Sequence, residues 1–181
     1  MSRIFCGQQL TQRLNIIGRG NGWCDAPMDE YSWGVTLLNL ERPVDLVIDM
    51  NVYDDGRWGD AERLGAIKSR ELALSNGTPY IDLHNYPIDK IIEFFKTDYF
   101  SNSVDYALAL AIYQGFTEVS LYGINMLFGS EYAYQKAGVE FWIGQAMGRG
   151  IKVSNHSKIS TILKTKNGLM YGYDRPQAIV A

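Results

Sequence analysis

The residues best suited to chemistry in this chain are a run of glycines, a short acidic pair and two histidines. Gly18-Arg19-Gly20-Asn21-Gly22 follows a brief apolar run at 14–17. Glycines after a strand let the backbone turn tightly and bring N–H groups against a phosphate, and Arg19 could pair with that charge. The spacing is not that of a dinucleotide fold, because a tryptophan, Trp23, stands where the last glycine of GxGxxG belongs. No GK[ST] follows for a Walker loop either. A ligand-free turn with a solvated Arg19 is the plain alternative.

Asp49-Met50-Asn51 could hold a divalent ion or simply cap a strand end. His84 and His156 are the only two histidines, and each is expected just past a strand. Both are candidates for general acid–base work, or else surface and capping residues. Asp82 would face the same side of a strand as His84 without forming a dyad with it. Cys24 is read as a small buried thiol in preference to a nucleophile. Arg149, between Gly148 and Gly150, should serve a helix C-terminus.

Alternating apolar patterns supply the elements that position these residues. Residues 14–17, 31–40, 44–50, 80–83, 119–122 and 151–154 read as strands. Residues 60–74 read as a helix, with Leu64, Ile67, Leu72 and Leu74 at roughly helical spacing and charges on the other side. Residues 87–95 form a short helix with Pro87 in its first turn, and 131–147 a long one. The helix at 103–114 takes Ser103 as N-cap, carries Asp105 in its first turn and ends at Gly115. It is apolar nearly all round and should be deeply buried.

This order implies an α/β fold, a single Rossmann-like domain over 1–181 with a mostly parallel central sheet flanked by helices. Residues 174–181 could form a C-terminal arm. Ligands of such sheets bind at the carboxyl ends of the strands. The expected site therefore gathers Gly18, Arg19, Gly20, Asn21, Asn39, Asp49, Asn51, His84, Gly123, Asn125 and His156.

Composition narrows the class of function. The chain has 181 residues, 46% hydrophobic and 13% aromatic, which suits one domain with a real core. Its 17 Lys and Arg against 20 Asp and Glu give a net charge of −3, which argues against a nucleic-acid partner. Two cysteines, Cys6 and Cys24, suit a reduced cytoplasmic setting. The apolar stretch at 106–130 is interrupted at Gln114, Gly115 and Glu118, as a helix and strand would be, so no membrane partner is expected. No cofactor is required by these patterns, and a homo-oligomer stays open.

Three blocks stand in one order: Asn102-Ser103-Val104-Asp105-Tyr106 with the helix after it, Glu118-Val119-Ser120-Leu121-Tyr122-Gly123-Ile124-Asn125, and Tyr132-Ala133-Tyr134. The string resembles a block of the bacterial sialyltransferases that use CMP-activated sialic acid. It is also similar to the domain family named after 6-hydroxymethylpterin diphosphokinase. Upstream, Ile16-Ile17-Gly18-Arg19-Gly20-Asn21-Gly22 looks like their strand followed by G-N-G-P-S, and Asn39 falls where they carry a strand-two asparagine. A likeness to small proteins of tailed bacteriophages runs through most of the chain, by way of EYAYQ, GRGIKV and a final YGY.

The resemblance implies a nucleotide or nucleotide-sugar ligand. Gly18, Gly20 and Asn21 would lie near its phosphate or ribose, Asn39 and Ser103 would contact the nucleotide, and Tyr132 would lie near the leaving phosphate. Arg19, Gly123 and Asn125 complete the expected nucleotide-binding set, while Tyr132, His84 and His156 are the catalytic candidates. The chain departs from the transferases in three places: Trp23-Cys24 follow the glycines, Asn125 replaces an acidic residue, and the insertion bearing their general-base histidine is lacking. Three functions follow from the resemblance. They are a small glycosyltransferase-like enzyme, a phage protein that sequesters a host nucleotide signal, and a virion or interaction protein on a vestigial fold.

Overall fold

The computed structural model describes residues 4–5, 8–9, 13–54, 56–127, 132–165, 168–173 and 175–177, with backbone alone at 4–5, 8–9 and 132–133. A hairpin that the sequence pattern does not announce comes first, with β1 (Ile4–Phe5) antiparallel to β2 (Gln8–Gln9). The main sheet follows: β3 (Arg13–Ile17), β4 (Ser32–Val35), β5 (Leu46–Ile48), β6 (Tyr80–Ile81), β7 (Glu118–Tyr122) and β8 (Lys152–Asn155). These strands lie in the order β6-β5-β4-β3-β7-β8, and every pairing between them is parallel. The chain builds outward from β3 through β4 and β5 to β6. It then crosses back to lay β7 on the other side of β3, so the switch point falls between β3 and β7.

The helices are α1 (Asp60–Asn76), α2 (Ile88–Phe95), α3 (Ser103–Gln114) and α4 (Tyr132–Met147). Strand alternation sorts the core into two unequal layers. Leu14, Ile16, Trp33, Val35, Leu46, Ile48, Val119, Leu121 and Val153 form one cluster with α3 and α4. In it α3 lies across β3, β4 and β5 and against α4, buried along nearly its whole length as its composition demands. Trp142 of α4 stacks on Phe100 at 5.0 Å, meets Phe95 edge-on at 4.8 Å, and donates its indole N–H to the Tyr99 carbonyl at 2.9 Å. The opposite layer is thin. Ile17, Ala26, Leu38 and Tyr122 pack there with Trp23 and Val44.

Cross-strand charge helps fix the register at the amino edge. Glu118 of β7 sits between Arg13 of β3 at 2.8 Å and Lys152 of β8 at 3.2 Å. Hydrogen bonds from Lys152 and then Arg13 hold its carboxyl below the ordinary range.

Several sequence expectations change. The strand expected over 31–40 stops at Val35, where Thr36 turns to φ 57° and a 3-10 helix, Thr36–Leu40, buries Leu37, Leu38 and Asn39. The strand expected over 80–83 ends at Ile81, because Asn85 folds back: its side-chain oxygen accepts from Asp82 N–H at 2.8 Å and its amide donates to the Tyr80 carbonyl at 2.9 Å.

The N-cap of α3 is Asn102, one residue before Ser103. Asn102 is extended (φ −167°, ψ 169°), and its side chain accepts from the Val104 and Asp105 N–H groups. Gly115 closes α3 in the left-handed region at φ 85°, as expected.

Helix α1 turns the other face inward. Leu64, Ile67 and Leu74 are 51%, 54% and 68% exposed, while Ser69 and Ala73 are buried. The reason is distance: small residues let α1 lie close against the 3-10 helix, where a Cβ at Gly65 would come 3.0 Å from Leu37.

Among the described residues, no helix is long and apolar enough to cross a membrane. Leu169 bridges Pro176, and Gln177 ties back to Leu163, Thr165 and Gly168.

Candidate functional site

The carboxyl edge of the sheet divides into two groups of polar residues. The first lies at the switch point. Gly18 N–H donates to the Tyr122 carbonyl at 2.8 Å, and Gly20 N–H to the Gly123 carbonyl at 2.9 Å. These bonds hold the loops after β3 and β7 together, so the two glycine N–H groups are spent within the protein. Close approach is what requires glycine here: a Cβ at Gly20 would lie 2.6 Å from the Gly123 oxygen.

Asn125 braces the same junction. Its amide donates to the Asn21 carbonyl at 3.3 Å, and its side-chain oxygen accepts from Ser157 Oγ. The Asn125 carbonyl takes the Thr161 N–H at 2.9 Å. This leaves the Asn21 side chain on an exposed turn, with no hydrogen bond among the described residues. Arg19 is half exposed and pairs loosely with Glu41 at 3.5 Å.

His156 reaches the switch point although it follows β8. Its ring stacks flat on Tyr122, the last residue of β7, with centroids 4.5 Å apart and planes within 5°. Burial raises the Tyr122 phenol above its ordinary range, and the charges of Glu30 and Asp25 push it the same way. His84 is elsewhere. It occupies an exposed turn beyond the edge strand β6, and its backbone N–H, rather than its ring, takes Asp82 Oδ1 at 2.9 Å.

The second group centres on Asp49, which is 2% exposed just past β5. Asn51 donates to Oδ1 from its backbone at 3.3 Å and from its amide at 2.8 Å. The Tyr53 and Tyr80 hydroxyls donate to Oδ2 at 2.8 and 3.1 Å. Burial pushes the Asp49 carboxyl up, against these bonds, which draw it down. Both phenols are pushed up by burial and then by the Asp49 charge. Asn51 thus spends its amide on Asp49. Among the described residues no group of three His, Cys, Asp or Glu converges as a metal site. Arg70 extends the network, lying over the Tyr80 ring at 5.7 Å and 3.0 Å from Asp82 Oδ2.

The remaining candidates have structural work. Asn39 donates to the Ser69 carbonyl at 2.7 Å and accepts from Ser69 Oγ, so both ends of its amide tie the 3-10 helix to α1. Ser103 Oγ accepts from Met50 N–H at 3.4 Å, which joins the start of α3 to the end of β5. Cys24 is exposed rather than buried, because the 3-10 turn Trp23–Asp25 buries none of its residues. Arg149 does serve a helix end: it donates to the Gln145 carbonyl at 3.0 Å and covers the Phe95 ring at 4.9 Å. The Tyr132 side chain, the whole of Glu131 and Cys6 lie outside the described residues.

Sequence reasoning missed Tyr53, Tyr80, Asn102 and Arg42. Arg42 is 5% exposed and donates to the Ala26 and Pro27 carbonyls at 3.0 and 2.9 Å, which anchors the loop after β3. An arginine two residues past a run of leucines was the available signal. Tyr80 gave none, since its partner Asp49 is 31 residues away.

No family model matches the chain, and no curated protein does. Solved structures of similar layout include sialyltransferases. A point-mutant form of the alpha-2,3/8-sialyltransferase CstII aligns with TM-score 0.43 and 14% identity, over 82% of this chain and 83% of that one. CstII from Campylobacter jejuni with the substrate analogue CMP-3FNeuAc aligns at 0.40 and 13%, over 83% of each chain. The same enzyme with cytidine-5′-monophosphate aligns at 0.38 and 15%, over 83% and 82%. No residue of this chain takes a role from those overlaps.

Proposed function

We propose that the switch-point crevice between β3 and β7 binds a nucleotide, as the activated half of a nucleotide sugar, and that the protein is a small transferase of the glycosyltransferase type. The observation that carries the reading is the convergence of Arg19, Asn21 and His156 on one junction of glycine-packed loops. Chains leaving β3 and β7 in opposite directions open a crevice at such a point. Among the described residues, Arg19 has an exposed, loose ion-pair partner to give up for a phosphate. The Asn21 amide is free to meet ribose or base. His156 is the proton acceptor for an incoming hydroxyl: the oxygen–sugar bond forms, the sugar–phosphate oxygen bond breaks, and the proton passes to imidazole. The motif likeness noted above supports a phage product acting in its host's cytoplasm.

A binding-only reading competes with it. It is favoured by the commitment of the Gly18 and Gly20 N–H groups to β7, which removes two donors from a leaving phosphate.

Thermal shift and calorimetry against CMP, UMP, their sugar conjugates and cyclic dinucleotides test both. A ligand at 100 times its dissociation constant stabilises by about 2.7 kcal/mol, worth roughly 5 to 10 °C in a chain of this size. Binding that Asn21→Ala weakens, with turnover that His156→Ala abolishes, supports the transferase. Binding without turnover supports the second reading, and no shift with any nucleotide overturns both.

A further inference from the structure

Asparagine stands directly before glycine at 21–22, 76–77 and 167–168. Such a pair carries a latent reaction of its own. The glycine backbone nitrogen can attack the asparagine side-chain carbon, because no Cβ on the second residue obstructs the approach. The new carbon–nitrogen bond closes a cyclic imide. The side-chain nitrogen leaves as ammonia and takes the glycine amide proton with it. Water then opens the imide at either carbonyl, which yields aspartate or its β-linked isomer. In a folded chain the rate depends on whether the glycine N–H and the asparagine amide are free to meet.

The three pairs differ in that respect. Gly77 closes α1 and donates its N–H to the Ala73 and Leu74 carbonyls, so attack there must first break a helix cap. Gly168 N–H donates to the Thr165 carbonyl at 3.2 Å. Gly22 is otherwise placed. Among the described residues its N–H makes no hydrogen bond, and the Asn21 side chain beside it stands unbonded on an exposed turn. Gly22 takes φ 91°, and a Cβ there would meet only Asp25 Oδ2, at 3.7 Å. Gly20 N–H is pinned to Gly123 and the Asn21 carbonyl to the Asn125 amide. The two reacting atoms, Gly22 N and Asn21 Cγ, are held by neither bond.

We propose that Asn21-Gly22 is a site of spontaneous deamidation, and that the carboxylate it leaves closes the switch-point crevice to phosphate. The second half rests on the function proposed above. Arg19 holds Glu41 at 3.5 Å with both side chains about half exposed. A carboxylate at position 21 competes for that guanidinium and sets negative charge where a phosphate would otherwise bind. Water and the chain's own atoms are the only reactants, so affinity falls with the age of the molecule.

Peptide mapping of the full chain, aged in mildly alkaline buffer and then digested with trypsin, tests the modification without any ligand. Tryptic peptide 20–57 should gain about one dalton, the difference between an amide and an acid, with fragment ions placing the change at Asn21. Peptide 71–90, which carries Asn76-Gly77, is the internal control. It should convert about tenfold more slowly, because a backbone hydrogen bond must open first. Asn21→Gln should leave peptide 20–57 unchanged over the same period, since its longer side chain closes a less favourable ring. Equal rates in the two peptides, or a change at Asn39 or Asn51 instead, overturn the proposal.

The consequence is read by calorimetry with CMP and UMP. Fully converted protein, and freshly made Asn21→Asp, should bind the nucleotide that the fresh chain binds at least about tenfold more weakly. Unchanged affinity overturns the closing of the crevice. A fresh chain that binds neither nucleotide overturns the function proposed above and the closing with it, while the mass change at Asn21 still decides the modification.

Discussion

Gly18 and Gly123 meet backbone to backbone at the switch point. A Cβ on Gly18 would sit 2.7 Å from the Gly123 carbonyl oxygen, and one on Gly123 would sit 2.6 Å from that of Gly18. No side chain can be inserted on either side without parting the loops that leave β3 and β7.

Gly123→Ala should therefore be among the costliest single changes in the protein. Its Cβ would also stand 2.8 Å from the Gly20 oxygen, and φ at 61° strains any residue with a side chain. Urea unfolding should show a loss of about 3 kcal/mol or more. A loss below about 1 kcal/mol would mean that the two loops separate freely.

Asn39 and Ser69 form a closed pair, each donating to the other. Asn39→Ala should cost about 1 to 3 kcal/mol by leaving buried groups of Ser69 without partners. Ser69→Ala should cost less. A double-mutant cycle should return a coupling of about 1 kcal/mol. Additive losses would show that the pair acts independently and does not lock the 3-10 helix to α1.

Asp105 gives stability a pH dependence opposite to the usual acidic one. Burial pushes its carboxyl up to about 6, against hydrogen bonds from Ser101 and Asn102. The folded state thus binds a proton more tightly than the unfolded chain. Its contribution is fully present below the unfolded carboxyl range and is lost as pH rises through about 6. Between about pH 5 and about pH 7.5 that loss is roughly 1 to 1.5 kcal/mol. Asp105→Asn should flatten this part of the profile, whatever it does to absolute stability. A profile of the same slope in both proteins would refute the assignment.

Arg42 holds the loop after β3 through carbonyls that only a fixed cation can gather. Arg42→Leu strands the Ala26 and Pro27 oxygens and should cost about 2 to 4 kcal/mol. Hydrogen exchange should quicken first at Trp23, Asp25 and Ala26, whose N–H groups lie in that loop. Uniform acceleration over the sheet would instead point to a general loss of stability.

Much of the architecture was legible because it follows from period and punctuation. The all-round apolar α3, its glycine stop and the short runs that became β3, β5 and β7 all announce a buried parallel sheet. Boundaries failed where a local bond overrode the pattern, at Thr36 and at the Asn85 turn. The face of α1 was misread for a different reason. Apolar periodicity marks which residues share a side, but Gly65, Ser69 and Ala73 set which side can come close. At the site, the sequence identified the glycines but not their role, which is contact between loops. The Asp49 network joins residues far apart in the chain, and short motifs carry no trace of such a meeting.

The unequal layers on the two sides of the sheet give the molecule a division of labour. Substitutions among the loops that follow β3 and β7 draw on a cluster of four buried side chains: Ile17, Ala26, Leu38 and Tyr122. The loop after β7 also seats Ile124 and Met126 in the larger layer beneath α3 and α4. A change near Gly22 is felt by a few neighbours, whereas one at Ile124 or Met126 reaches the ballast of the fold.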